Sequence, residues 1–177
     1  IWSRKFPKIR SIAVGDINGD EIDELLIASA NKIIVIRAGI ITGVYTMDEE
    51  IIDIEVGDID GDGYLEVIVV GKERILGIKN WRKSWSKYHG KHKFIMMKIA
   101  DIDGDDKKEI ILLYKDVLAI LRNGDTFFKE SISNGNFLTC GDINGDTLPE
   151  IIIVFEKRGI EDVYIYFSAQ RFRVLER

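Results

Sequence analysis

The chain has 177 residues, 46% of them hydrophobic, and a formal net charge of −5. That is enough apolar material for one packed domain or an array of small repeats, and it argues against disorder. No apolar run approaches the roughly 20 residues needed to cross a bilayer, the lone cysteine, Cys140, rules out an internal disulfide framework, and the small net charge names no partner.

The opening residues, Ile1 to Phe6, carry Trp2 at a distance ahead of the first acidic segment that later repeats also show for an aromatic residue. They read as the last strand of a preceding blade, so the chain is expected to be a segment of a larger propeller, completed by further blades or a partner chain. A short apolar strand, Ile12 to Gly15, then leads into Asp16-Ile-Asn-Gly-Asp-Glu-Ile-Asp-Glu24, and a second apolar run follows at Leu25 to Ala28. A third strand, Ile33 to Ile36, and a more polar fourth one around Tyr45 complete the unit. The same order recurs: Ile54 to Gly57, the loop Asp58 to Glu66, Val67 to Val70, Ile75 to Ile78 and a strand around Trp85; then Met97 to Ala100, the loop Asp101 to Glu109, Ile110 to Leu113, Val117 to Leu121 and a strand around Phe127. The last copy runs Phe137 to Gly141, the loop Asp142 to Glu150, Ile151 to Val154, Val163 to Phe167 and a strand around Phe172. The apolar runs are too short for helices, and most are rich in β-branched residues, as strands buried on both faces are.

The repeat length is about 42 residues, and four antiparallel strands at that period are the unit of a propeller blade. The fold class is therefore all-β, a β-propeller of four-stranded antiparallel blades. The domain spans 1–177, with repeats at approximately 8–49, 50–91, 92–134 and 135–177.

All four loops read D-I-[DN]-G-D-x-x-x-E. Side chains at positions 1, 3 and 5 converge on one point, and three or four unpaired carboxylates at that separation repel strongly. A hard divalent cation relieves the conflict, and calcium accepts six to eight oxygens in flexible geometry. Glycine at position 4 suits a sharp turn with positive φ. Isoleucine at position 2 is expected to point away from the ion and anchor the loop in the core. An EF-hand is excluded: it requires a glutamate at position 12 and a following helix, whereas position 12 here is Ile27, Val69, Leu112 or Ile153, inside a strand. The competing reading is a polar turn whose carboxylates cap backbone N–H groups.

This pattern resembles the FG-GAP repeats of integrin α-subunit propellers and related bacterial and archaeal repeats. The resemblance implies calcium, about four ions, held by Asp16, Asn18, Asp20, Glu24 and the carbonyl of Ile22; by Asp58, Asp60, Asp62, Glu66 and the carbonyl of Tyr64; by Asp101, Asp103, Asp105, Glu109 and the carbonyl of Lys107; and by Asp142, Asn144, Asp146, Glu150 and the carbonyl of Leu148. Because position 7 would offer only its carbonyl, its side chain is expected to vary freely. The first and fourth loops, with Asn at position 3, carry one charge fewer and are expected to bind more weakly.

Between Lys79 and Lys98 there is no acid. Trp81, Arg82, Lys83, Trp85, Lys87 and Tyr88 form a basic and aromatic stretch suited to an anionic ligand, although tryptophans packed between blades with solvated lysines on an outer strand explain it as well. No catalytic constellation emerges, and Cys140 reads as a structural thiol. The expected function is a non-catalytic calcium-binding module for recognition or adhesion of a protein or glycan ligand, outside the cell or at its surface. The alternatives are the propeller portion of a polysaccharide-active or other secreted enzyme, and an intracellular scaffold propeller. Neither nucleic acid binding nor membrane insertion is expected.

Overall fold

A computed structural model describes residues 3–90, 92–157 and 160–166. The strands are β1 (Ile9–Gly15), β2 (Glu24–Ser29), β3 (Lys32–Arg37), β4 (Ile40–Thr46), β5 (Ile51–Gly57), β6 (Glu66–Gly71), β7 (Arg74–Lys79), β8 (Arg82–Tyr88), β9 (Phe94–Ala100), β10 (Glu109–Tyr114), β11 (Val117–Arg122), β12 (Asp125–Ser131), β13 (Gly135–Gly141), β14 (Glu150–Lys157) and β15 (Ile160–Tyr166). They form four antiparallel meanders, β1-β2-β3-β4, β5-β6-β7-β8, β9-β10-β11-β12 and β13-β14-β15. Each is a sheet of the propeller-blade type, as the sequence predicts. The first strands begin earlier than the apolar pattern suggests, at Ile9, Ile51 and Phe94. The expected fourth strand around Phe172 lies outside the described residues, as does Trp2, and Ser3 to Phe6, read as part of a preceding blade's last strand, form no strand.

Burial follows position in the meander. The second strands are central, and β6 and β10 are buried along their whole length. The fourth strands β4, β8 and β12 lie at an edge and are mostly exposed or half-buried. This is why the second strands are continuous apolar runs while the fourth ones alternate. The register slips at the same place in three β3–β4 type pairs, between Val35 and Ile36, Gly77 and Ile78, and Ile120 and Leu121, a bulge that raises the local twist of the outer strand.

The chain divides into two compact units: β1 to β8, and β9 to β15 together with Ile59–Gly61. The first has a core built on Leu26, Ile33, Ile51, Ile54 and Val69. The second has a core built on Ile102, Ile111, Leu118, Ile151 and Ile153.

Candidate metal centres

Each acidic segment is the connection from the first strand of a sheet to the second, closed by hydrogen bonds of its own. The position-1 aspartate gathers backbone N–H groups. Asp16 accepts from Asn18, Gly19, Asp20 and Glu21, the shortest at 2.7 Å; Asp101 accepts from Asp103, Gly104 and Asp106; Asp142 accepts from Gly145 and Thr147; Asp58 accepts from Asp62 and Gly63. For Asp16, desolvation pushes the pKa up, but the four N–H groups outweigh it and the net shift is down. For Asp142 the Gly145 N–H leads the same downward shift. Ionised carboxylates are therefore built into the turn. The position-5 carboxylate accepts from the position-7 N–H, at 3.1, 3.0, 2.9 and 2.9 Å for Ile22, Tyr64, Lys107 and Leu148.

The position-9 glutamate begins the second strand and is buried in every copy: Glu24, Glu66, Glu109 and Glu150. It reaches back across the loop to accept the position-2 N–H, from Ile17 at 3.3 Å, Ile102 at 3.0 Å and Ile143 at 3.0 Å. The isoleucines Ile17, Ile59 and Ile102 are buried as expected, but Ile143 is 54% exposed, so the fourth loop is not anchored in that way.

Glycine at position 4 has φ between 77° and 80° in all four loops, the left-handed region that suits glycine. In three it serves a second need. A Cβ on Gly19 would meet the Tyr64 ring at 2.6 Å, one on Gly61 the Lys107 chain at 2.8 Å, and one on Gly104 the Leu148 methyl at 3.0 Å. The position-7 side chain of one repeat lies on the glycine of the repeat before it. Position 7 is therefore not free of constraint as predicted; it varies in type while keeping a contact.

Two loops bring carboxylates together. One oxygen each from Asp58, Asp60 and Asp62 lie within 4.8 Å of one another, and so do oxygens of Asp101, Asp103 and Glu109. That spread matches oxygens around one ion at 2.3–2.6 Å. Asp103 Oδ1 is buried with no hydrogen-bond partner among the described residues. Burial pushes Asp103 up, against Arg122, and pushes Glu109 up to about 7, with Ile102 N–H and Arg122 opposing and Asp103 adding. A divalent cation fits this donor set, with Asp105 on the same loop. The other two loops differ because asparagine at position 3 is already spent. Asn18 Nδ2 donates to Glu24 Oε1 at 2.9 Å, and Asn144 Nδ2 to Glu150 Oε1 at 2.8 Å.

A feature missed in the sequence is a cation at the end of the third strand. Arg37 lies 2.5 Å from Asp20 and 3.8 Å from Glu24. Lys79 lies 2.6 Å from Asp62 and 2.9 Å from Glu66. Arg122 pairs with Asp103 and, at 3.0 Å, with Glu109, and it stacks on Phe127 at 3.6 Å. The signal was present as Arg or Lys thirteen residues after the glutamate in three repeats, hidden by the change of residue type.

The basic and aromatic stretch is divided by the fold. Lys79 is committed to the second loop. Arg82, Lys83 and Tyr88 are exposed, Lys87 is half-buried, and Trp85 lies over Gly77 of its own sheet. Trp81, 40% exposed, has φ 59° in the β7–β8 turn; the matching turns carry Gly39 and Gly124 there. It meets Tyr45 at 6.3 Å between ring centroids. His89 Nε2 lies 3.1 Å from the Gly71 carbonyl, and His92 Nδ1 2.8 Å from Asp116. Burial pushes the Cys140 thiol up to about 12, against the pull of Lys98, so it stays protonated. Among the described residues no helix is long and apolar enough to cross a membrane.

The sheets and loops define an all-β chain of propeller-like blades, and known structures agree. The chain is similar to BBS1N, in a crystal structure of its complex with ARL6DN soaked with mercury, with a TM-score of 0.75 at 11% identity, covering 94% of this chain and 57% of that one. The lead-soaked crystal of the same complex gives 0.70 at 12% identity, covering 93% and 55%. The V. cholerae biofilm matrix protein Bap1 gives 0.61 at 16%, covering 95% of this chain and 32% of that one. The chain thus spans between a third and just over half of the structures it resembles. No protein-family model matches it, and no curated protein matches it either.

Proposed function

We propose that this chain is a non-catalytic scaffold module of FG-GAP type, in which calcium held at the second and third acidic loops stiffens blades that present a surface to a protein partner. The observation that carries this reading is the convergence of Asp58, Asp60 and Asp62, and of Asp101, Asp103 and Glu109, inside matching loops. Calcium suits them because the donors are all carboxylate oxygens and the loop geometry is irregular, whereas magnesium demands a near-ideal octahedron and retains its waters. In the first and fourth loops asparagine replaces one carboxylate and its amide already hydrogen-bonds the glutamate, so those sites are weaker. The scaffold role is supported by likeness to BBS1N, which was crystallised with the protein ARL6DN.

A second reading is adhesion outside the cell, supported by likeness to a biofilm matrix protein. Affinity separates the two, because extracellular calcium modules work at about 10⁻⁴–10⁻³ M and intracellular sensors at about 10⁻⁷–10⁻⁵ M. The test of the shared core is thermal melting in excess chelator and in calcium. Saturation at about 100 times the dissociation constant adds about 2.7 kcal/mol per independent site, so the melting temperature should rise by several degrees. Identical melts, with no metal found by elemental analysis of the native protein, would refute it.

A further inference from the structure

We infer that Lys79 and Arg122 are tethered counter-ions that hold the second and third loops closed when no metal is bound and that a divalent ion must displace, so these two side chains set the loops' metal affinity. This rests on the calcium reading of those loops. The argument begins with position. Val67 pairs with Ile78 and Ile110 with Leu121 across the second and third strands. The next rung therefore places Glu66 opposite Lys79, and Glu109 opposite Arg122. The cation thus comes from a neighbouring strand of the same sheet and enters the loop beside its buried glutamate. Both cations bridge two of the loop's acids, Asp62 and Glu66 in one case, Asp103 and Glu109 in the other. The same bridge recurs at Arg37 in the first loop, between Asp20 and Glu24.

Bringing several carboxylates together requires a positive charge, and a lysine or arginine supplies one where a metal would supply two. The tethered charge and the ion draw on the same carboxylates, Asp62 in the second loop and Asp103 and Glu109 in the third. Glu66 Oε1 and Glu109 Oε1 face the cation, as do Asp62 Oδ2 and Asp103 Oδ2. Arg122 also has a resting place when displaced, since it already stacks on the Phe127 ring. Among the described residues the bridge is seen in the first three repeats.

The experiment uses the full chain with Lys79→Met and Arg122→Met, and with Lys79→Arg and Arg122→Lys as charge-preserving companions. Calcium chloride is titrated calorimetrically, and each protein is melted in excess chelator. A unit positive charge a few ångströms from the ion weakens its binding by more than tenfold even at an effective dielectric of about 20. Each Met variant should therefore bind calcium at least tenfold more tightly at its own loop and melt lower in chelator, while the Arg and Lys companions stay near the parent on both counts. Calcium binding by the Met variants but not by the parent also supports the inference, while showing that the parent loops work without metal. An unchanged or weaker affinity in folded Met variants overturns it. So does the absence of calcium binding by every protein, which removes the calcium reading as well.

Discussion

Glu150 shows how much a single residue carries in this repeat. Its carboxylate is fully buried, accepts the Ile143 N–H at 3.0 Å and the Asn144 amide at 2.8 Å, and so ties the start of β14 to the start of its loop. Truncation would leave the Ile143 N–H without its acceptor and the Asn144 amide with only Asp146, at a cost of roughly 1–3 kcal/mol for a buried group. Glu150→Ala is therefore expected to lose about 2 kcal/mol by urea denaturation in chelator, and Glu150→Gln about half of that, because its single amide oxygen can replace only one of the two accepting oxygens. Equal losses in the two variants would show that the hydrogen bonds are not what holds the loop. Cys140 gives a second expectation. With its thiol held protonated by burial, the folded protein should react with a thiol reagent at pH 8 at least tenfold more slowly than the urea-unfolded chain, since the thiolate is the nucleophile; equal rates would contradict its burial. At this scale the acids were legible because backbone closure demands the same residue type in every copy. The position-7 contacts were not. A tyrosine, a lysine and a leucine share no pattern, yet all three cover a glycine of the repeat before.

At the scale of elements, the strands were readable because burial by position in the meander writes itself as apolar runs and alternation. The cations ending β3, β7 and β11 were not, since only strand pairing brings residues thirteen apart in sequence to one rung. Trp81 is a related case. The β7–β8 turn has two successive positive-φ residues, Asn80 and Trp81, the geometry of the tight hairpin turns that favour glycine, so sequence alone hides the turn behind an aromatic. The opposite end of the first unit offers a pH test. Glu50, in the β4–β5 connection, lies 2.5 Å from Arg10 at the start of β1 and 3.0 Å from Lys72 in the β6–β7 turn. The Arg10 hydrogen bond, then Lys72, holds its carboxyl down at about 2, below the ordinary 4.5. A depressed carboxylate stabilises the fold above its unfolded pKa and loses that contribution as pH falls through its folded one. The stability difference between parent and Glu50→Gln should accordingly be constant above pH 4.5 and vanish between about 4.5 and 2. Because these side chains are partly exposed, the difference should also shrink with salt. A gap that persists at pH 2 would assign the Glu50 contribution to packing instead.

For the whole molecule, charge is the property the loops control most directly. The metal-free chain carries a formal −5 with an isoelectric point near 5.2, and the acids responsible are concentrated in four short segments. Two divalent ions would bring the charge to −1, and four would carry it to +3. These two states lie on opposite sides of neutrality, so migration direction at pH 7 reads the number of filled loops without reference to any partner. The geometry favours two, because only the second and third loops converge three carboxylates while asparagine amides occupy the glutamates of the other two. Native electrophoresis at neutral pH should therefore show the chelated protein running clearly to the anode and the calcium-loaded protein nearly stationary but still anodic. Magnesium at the same concentration should shift it less, since that ion gives up its waters reluctantly and wants a stricter octahedron. Reversal to cathodic migration would mean that the first and fourth loops also fill and that their asparagines yield to the ion. An identical mobility in chelator and calcium would mean that the tethered cations alone neutralise the loops.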